Sequence, residues 1–454
     1  LIRNYSQLVA THGKPARIVL SALNAAISSV DPRLLVTNSV ELKGNLIVKS
    51  INGESLTLER FRDVYIVGAG KAVGGMAESL YTILGKKVRG GAITVPYGQE
   101  SKIDRKLKSK IKLTEAGHPM PDAAGVKGTE NIIHILGRAN KDDLVFVLLS
   151  GGGSALLPLP APGLSLADKQ SMTDKLLRSG ATISEINVVR KHLSGIKGGR
   201  LPGFAKSARI VSVILSDVVG DDLSSIASGP TFADPSTFAD AVAILKKYRI
   251  DHPESQAIEH LRRGASGAVQ DTPKPGDPLF RNVFNFIIGN NRIACQSAVA
   301  YLRKHRVKAA YLGSEFTGEA RDHGRFLANL ASDITAGGKN VGVVLGGETT
   351  VSMGSRATGK GGRNTEAALS YLMHTDGGSI VACIGTDGID GNSDAAGALI
   401  TRNTLLKARK KGLKLKCYLR MHDSYSALKA TDSLILTGLT GTNVNDISIV
   451  YRLG

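Results

Sequence analysis

The chain runs to 454 residues, 42% of them hydrophobic, with a formal charge of +19 at pH 7. That length exceeds what one hydrophobic core serves, so two domains are expected, and the composition excludes a disordered chain. Aromatics at 5% argue against a stacking surface for single-stranded nucleic acid, and three cysteines without CxxC spacing argue against structural zinc and for a reducing compartment.

Taken in order, residues 1–30 carry a broken helical period that ends before Asp31-Pro32, and residues 1–10 hold no apolar core of a signal peptide. Residues 46–58 read as a hairpin around Asn52-Gly53. A strand from Val64 then runs through Gly68-Ala69-Gly70-Lys71 into a helix start, as in a dinucleotide-binding unit. The spacing departs from that fingerprint, because Val73 stands where the third glycine belongs. The following strand ends in Pro96-Tyr97 with no acid for a ribose. No Ser or Thr follows Lys71, so the run is not a P-loop either. What remains is a lysine at a helix N-terminus, where backbone amides favour an anion.

Residues 116–122 form a turn-rich loop whose His118 is either an acid–base group or a loop histidine satisfied by backbone. The apolar strand Leu144–Leu149 runs into Ser150-Gly151-Gly152-Gly153-Ser154, where consecutive glycines let backbone amides converge as a nest for a phosphate. The uncharged run 144–167 is long enough for a membrane span, but its glycines and Pro158, Pro160 and Pro162 argue against one helix. Residues 165–180 read as a helix capped by Ser165 with Asp168. A polar helix around 187–200 offers Arg190, Lys191, Lys197 and Arg200 to an acidic substrate, or to solvent. The strand 210–215 ends in Ser216-Asp217. An acid at a strand's carboxyl end sits where open α/β sheets bind ligands, so Asp217 is a metal-ligand candidate, with a loop brace as the plainer alternative.

Pro273, Pro275 and Pro278 mark the expected boundary between an N-terminal domain, 1–270, and a C-terminal one, 283–454. Strands at 284–288, 309–312, 341–345 and 380–384 alternate with helices in a second α/β run. Their loops carry Gly346-Gly347-Glu348 and, in GTDGIDG, Asp387, a second metal candidate. Between them GKGGRN brings Arg363 to a helix start. Glycine nests, helix-start cations and strand-end acids, with no Ser-His-Asp elbow and no Cys/His cluster, suit phosphoryl transfer with Mg²⁺ in an interdomain cleft.

The motifs GAGKAVGGMA, GHPMPDAAG, LLSGGGSALLPLP, INVVRKHLSGIKGGRL, ILSDVVGDDLSSIASGPT, GGETTV, GKGGRNTEAAL, GTDGIDG and TGTNVNDI stand in that order. Together they resemble the MOFRL-type glycerate kinases from about residue 10 to the C-terminus. The resemblance implies two α/β domains with mainly parallel, Rossmann-like sheets and a cytoplasmic enzyme that phosphorylates D-glycerate with ATP and Mg²⁺, yielding 2-phosphoglycerate. It implies catalytic roles for Lys71 and Arg363. Gly68, Gly70, Ser150, Gly151, Gly152, Gly153, Ser154, Arg190, Lys197, Gly346, Gly347 and Glu348 are then the expected substrate and phosphate contacts. Asp217 and Asp387 are expected at the metal from their positions alone. No membrane and no specific nucleic acid are expected, and a homodimer is left open. The rival readings are an NAD(P)-dependent hydroxypyruvate reductase and, on charge alone, a nucleic-acid-binding protein.

Overall fold

The computed structural model describes all residues except 101–102, 252–254, 335–338, 354–358 and 453–454. Lys102, the first of the closely spaced basic residues between 102 and 112 in the sequence, therefore lies outside the described residues. The chain divides into two compact units, Pro32–Ile288 and Leu1–Asp31 with Gly289–Gly454.

The first unit opens with a small antiparallel sheet, β1 (Val40–Lys43), β2 (Asn45–Lys49) and β3 (Ser55–Leu58). The expected hairpin is the β2–β3 pair, in register Leu46↔Leu58. The main sheet holds β4 (Val64–Ala69), β5 (Val88–Pro96), β6 (Ile111–Ala116), β7 (Leu144–Leu149), β8 (Arg209–Leu215) and β9 (Val283–Gly289) in the order β6-β5-β4-β7-β8-β9. The pairs from β6 through β8 are parallel. β4 and β7 are buried along their whole length, which is why both read as unbroken apolar runs: helices cover both faces of a parallel sheet. Their side chains join Ile132, Leu136, Ile196 and Ile210 in one core. A separate helical core, with Met172, Leu176, Ile186, Val189, Phe238 and Leu261, holds the helices Leu166–Arg178 and Ile183–His192. Both helices begin with a capping box, at Ser165 with Asp168 and at Thr182 with Glu185.

The second unit holds β10 (Lys308–Phe316), β11 (Val341–Gly347), β12 (Ser379–Gly385), β13 (Gly397–Ile400), β14 (Leu434–Ile435) and β15 (Asp446–Arg452), ordered β10-β11-β15-β12-β13-β14. Here the expectation of a mainly parallel sheet needs correction. Only β10–β11 is parallel, and every other pair is antiparallel. Two of the antiparallel pairs come from β15, the last strand, which inserts between β11 and β12 in the opposite direction, and the others from β13 and β14, which continue the sheet beyond β12.

Two boundaries also differ from the sequence reading. Strand 284–288 was expected to open the second run, but as β9 it closes the edge of the first sheet beside β8. Ile51 N–H donates to Ile287 O at 2.9 Å there. The N-terminal helix splits at Gly13 into Tyr5–His12 and Lys14–Ser29. The second piece buries Val19, Leu20, Leu23 and Ile27 and packs against the helix Asn291–Lys304, which carries residues 1–31 into the second unit. No single helix among the described residues is long and apolar enough to cross a membrane; by length and composition Lys14–Ser29 and Pro32–Ser39 pass that test only as a bent pair.

Candidate active site

In chain order the strands of the first sheet lie 3-2-1-4-5-6, the doubly wound arrangement. Connections leave β4 toward one side and β7 toward the other, so a crevice opens at the carboxyl ends of this pair. β4 and β7 are in register Ala69↔Leu149, and the two glycine motifs leave from those ends. The loops interlock. Lys71 N–H donates to Gly151 O at 2.8 Å, and Ala72 N–H donates to Ser150 Oγ at 3.0 Å. The latter bond satisfies a donor at the start of the helix Val73–Leu84, whose own N-cap residue, Ala72, has no side chain to do so. Gly70 has φ +150°, and a Cβ there would fall 2.1 Å from Ser150 Oγ.

Gly152, at φ +84°, is the point where the site converges. A Cβ on it would lie 2.9 Å from His118 Cδ2, 3.0 Å from His118 Nε2 and 3.5 Å from Lys71 Cγ. The lysine stem and the imidazole therefore both pack on the glycine loop. His118 arrives from the loop after β6, beside a cis peptide to Pro119. From sequence, His118 is equally well a loop histidine satisfied by backbone. Nothing in the spacing shows that the loop after β6 reaches the loop after β7. Lys71 and His118 each have a polar or electrostatic partner.

Behind the loop stands Lys197, only 2% exposed. Its Nζ donates to Ser154 O at 2.6 Å and lies 2.8 Å from Ser154 Oγ. Ser154 Oγ is 2.9 Å from Ser228 Oγ, which donates to Asn187 Oδ1 at 3.3 Å. Burial drives the Lys197 amine far below the ordinary lysine range, and Lys169 and Arg190 push it the same way. Lys169 donates to the carbonyls of Pro158 and Leu159, and burial lowers its pKa to about 7. Among the described residues neither lysine nor Arg190 pairs with a carboxylate. The expected contacts Gly68, Gly70, Ser150, Gly151, Gly152, Gly153, Ser154, Arg190 and Lys197 thus belong to one unit, and Lys197 stands behind the loop rather than on its open side.

The second unit builds its own polar centre at Arg363, the first residue of the helix Arg363–His374. Its Nη1 donates to Glu348 Oε1 at 2.6 Å, and its Nε lies 2.6 Å from Asp446 Oδ2. The second contact is close but poorly aligned, so Asp446 Oδ2 has charge pairing without a directed hydrogen bond. Burial alone would depress the Arg363 pKa, but the two carboxylates outweigh it and raise it. Burial pushes Asp446 up to about 7, against Arg363 and the Asn364 amide that favour its charged form. Asp390, fully buried, accepts from the N–H groups of Asn364 and Thr365 at 2.9 and 2.8 Å and so caps this helix. Gly346 and Gly347 serve close packing: a Cβ would fall 1.8 Å from Asn291 Oδ1 in the first case and 2.1 Å from Phe316 O in the second. Glu348 is the member of that motif that reaches Arg363. Neither Asp446 nor Asp390 was among the expected contacts; the register of β15 sets Asp446 opposite both Gly347 and Gly385, and Asp390 comes from the loop after β12.

Asp217 follows β8 and Asp387 follows β12, both half-buried at the carboxyl end of a strand. Among the described residues no three Asp, Glu, His or Cys side chains gather as a metal-holding group. This does not conflict with Mg²⁺, which takes one or two carboxylates and completes its shell with phosphate and water. The half-buried Asp387 offers the hard carboxylate oxygen that ion takes, beside the buried Asp446: a Cβ on Gly385 would lie 3.4 Å from Asp387 Oδ1 and 3.5 Å from Asp446 Oδ1. In the first unit a cavity of about 490 Å³, lined in part by Arg60, Arg62, Lys141 and Arg209, lies at the amino ends of β4, β7 and β8, the end of the sheet opposite the glycine loops.

Residues 18–262 match a family described as a domain of unknown function, DUF4147, and residues 341–446 match the MOFRL family. Glycerate 2-kinase of Pyrococcus horikoshii is 42% identical over 95% of this chain and 96% of its own. A protein of Agrobacterium vitis, 41% identical over 96% of this chain and 94% of its own, carries a hydroxypyruvate reductase name. The crystal structure of Thermotoga maritima glycerate kinase superposes with a TM-score of 0.81 at 36% identity, covering 96% of this chain and 99% of that one. With two family matches in the expected order and this identity over nearly its whole length, the chain belongs to the MOFRL-type glycerate 2-kinase family.

Proposed function

We propose that the protein transfers the γ-phosphoryl group of ATP to the 2-hydroxyl of D-glycerate, giving 2-phosphoglycerate and ADP. The observation that carries this reading is Lys71 packed on Gly152 at the doubly wound switch point, in a chain of this family. Phosphoryl transfer asks the protein for positioning and for cations on the charged oxygens rather than for covalent chemistry. Lys71 supplies a point charge beside the glycine nest, and the nest's backbone lets an anion approach without a side chain in the way. Arg363 supplies a planar donor set. Its ion pairs use Nε and Nη1, and the side chain is partly exposed. Glu348 and Asp446 hold that fork in place before a ligand arrives. Asp217 in the first unit and Asp387 in the second are each a candidate to hold Mg²⁺, which would supply charge neutralisation on the phosphates.

The test is an assay with ATP, Mg²⁺ and D-glycerate coupled to enolase alone. Phosphoenolpyruvate is the expected product. A signal that requires added phosphoglycerate mutase contradicts the 2-position. Dinucleotide enzymes share the strand order of the first sheet, which is the observation behind the reductase reading. Here, however, β5 ends in Pro96-Tyr97 at the position of the ribose-binding acid, and Val73 replaces the third glycine. No NADH or NADPH consumption with hydroxypyruvate is expected, and steady cofactor oxidation by the purified protein would restore that reading.

A further inference from the structure

We infer that Lys197, acting through the hydroxyl of Ser154, accepts the proton that the substrate hydroxyl gives up. The inference rests on the kinase reading above. Lysines as deeply buried as Lys197 are usually paired with a carboxylate. Here none of the described residues supplies one, and the charged groups facing the amine are Lys169 on the helix Leu166–Arg178 and Arg190 on the helix Ile183–His192. A second ammonium beside two cations, out of water, is the costly form; the neutral amine is the form this surrounding stabilises. A neutral amine has a lone pair. Its nearest hydroxyl is Ser154 Oγ at 2.8 Å, and its donor bond to Ser154 O at 2.6 Å fixes the direction of approach.

Ser154 links this buried base to the loop that Lys71 and His118 pack on. The lysine is sealed off, while Ser154 is half-exposed at the end of the glycine nest. The hydroxyl chain supports both proton arrangements. With Lys197 charged, donation runs from Nζ to Ser154, to Ser228 and to Asn187. With Lys197 neutral, Ser154 turns its proton to Nζ and its oxygen lone pair is ready for another donor. In the reaction the substrate O–H bond breaks and its proton passes to Ser154 Oγ as the Ser154 proton passes to Nζ. The substrate oxygen forms its bond to the γ-phosphorus, the bond from that phosphorus to the ADP oxygen breaks, and its electron pair leaves on ADP. Lys197 then returns its proton, through Ser154, to the product phosphate or to water.

The test has two arms on the full chain. In the first, protein labelled with ¹³C at lysine Cε is titrated by NMR, and Ser154→Ala identifies the Lys197 resonance by its shift. Lys197 is expected to be neutral near neutral pH, far below the ordinary lysine value of about 10.4. A Lys197 that stays protonated up to the ordinary range overturns the inference, whatever the protein's activity. In the second arm, Ser154→Ala is expected to lower kcat by ~10²–10⁴, the range for a positioned acid–base group, with little change in KM for D-glycerate and a displaced acid limb in the kcat–pH profile. Lys197→Arg, permanently charged, is expected to lose kcat likewise. Ser154→Ala with parental kcat and an unchanged pH profile rejects the relay, even if Lys197→Arg fails to fold. A wild-type protein that makes no phosphoglycerate removes the kinase reading instead, and the NMR arm still reports whether Lys197 is a base.

Discussion

Lys71 and Arg363 are both cations at the start of a helix, yet their surroundings make different predictions. Lys71 packs its stem on a glycine loop, so Lys71→Ala should remove a charge from the site with little change in Tm. Turnover should fall by ~10²–10⁵ in kcat, the span from oxyanion donors to arginine fingers. A parental kcat with a raised KM would instead mark a ground-state contact. Arg363 is held by Glu348 and Asp446. Arg363→Ala should therefore lose turnover and also stability, because it leaves Asp446 buried without its cation; with the arginine side chain 31% exposed, the loss should stay near ~1–3 kcal/mol at neutral pH. Denaturant midpoints of the two alanine variants, measured side by side, check the contrast. Arg363→Lys should rescue poorly, since a point charge cannot bridge two carboxylates as a planar fork does. Both cations were legible in the sequence because a glycine turn between strand and helix is a local pattern. His118 and Asp446 were not, because each reaches its site through strand neighbours that only the sheet order brings together.

At the level of elements, the helix Val73–Leu84 depends on a residue from another strand for its first hydrogen bonds. Ser150→Ala should cost about 1 kcal/mol, the usual size of a lost cap, and should loosen Lys71 as well. Gly70→Ala should do more harm, since its methyl would fall 2.1 Å from Ser150 Oγ. Urea midpoints and kcat for these two variants should move together; unchanged kcat in a destabilised Gly70→Ala would separate the interlock from the chemistry. The buried strands β4, β7, β8, β11 and β12 were visible as apolar runs, and the capping boxes at Ser165 and Thr182 follow local rules. The short strands β13 and β14 carry too few residues to show a period. The antiparallel insertion of β15 was hidden for another reason: a strand's direction in a sheet is set by its connections, and the connection to β15 contains no helix to signal a parallel crossover.

For the whole molecule, two titrations with opposite signs should shape stability. Burial lowers the His323 pKa to about 4 from the ordinary 6.5. Between those values the unfolded chain binds more protons, so stability falls as pH drops through that window, by at most ~3 kcal/mol from this residue. Asp446, raised to about 7 chiefly by burial, acts the other way: the folded chain binds more protons, and stability falls as pH rises from the ordinary carboxylate range toward neutrality. Thermal melts of wild type and His323→Gln across acid pH should differ by a flatter acid limb in the variant. The charge of +19 should give only weak, salt-sensitive contact with nucleic acid, on the order of 10⁻⁴–10⁻⁶ M. Sequence preference at physiological salt would contradict that. The central claim is phosphoryl transfer to glycerate, and ³¹P NMR of purified protein with ATP, Mg²⁺ and D-glycerate tests it most directly. The expected spectrum shows ADP and a new phosphate monoester matching 2-phosphoglycerate in equal amounts; ATP left intact, or ADP with inorganic phosphate and no ester, would contradict it.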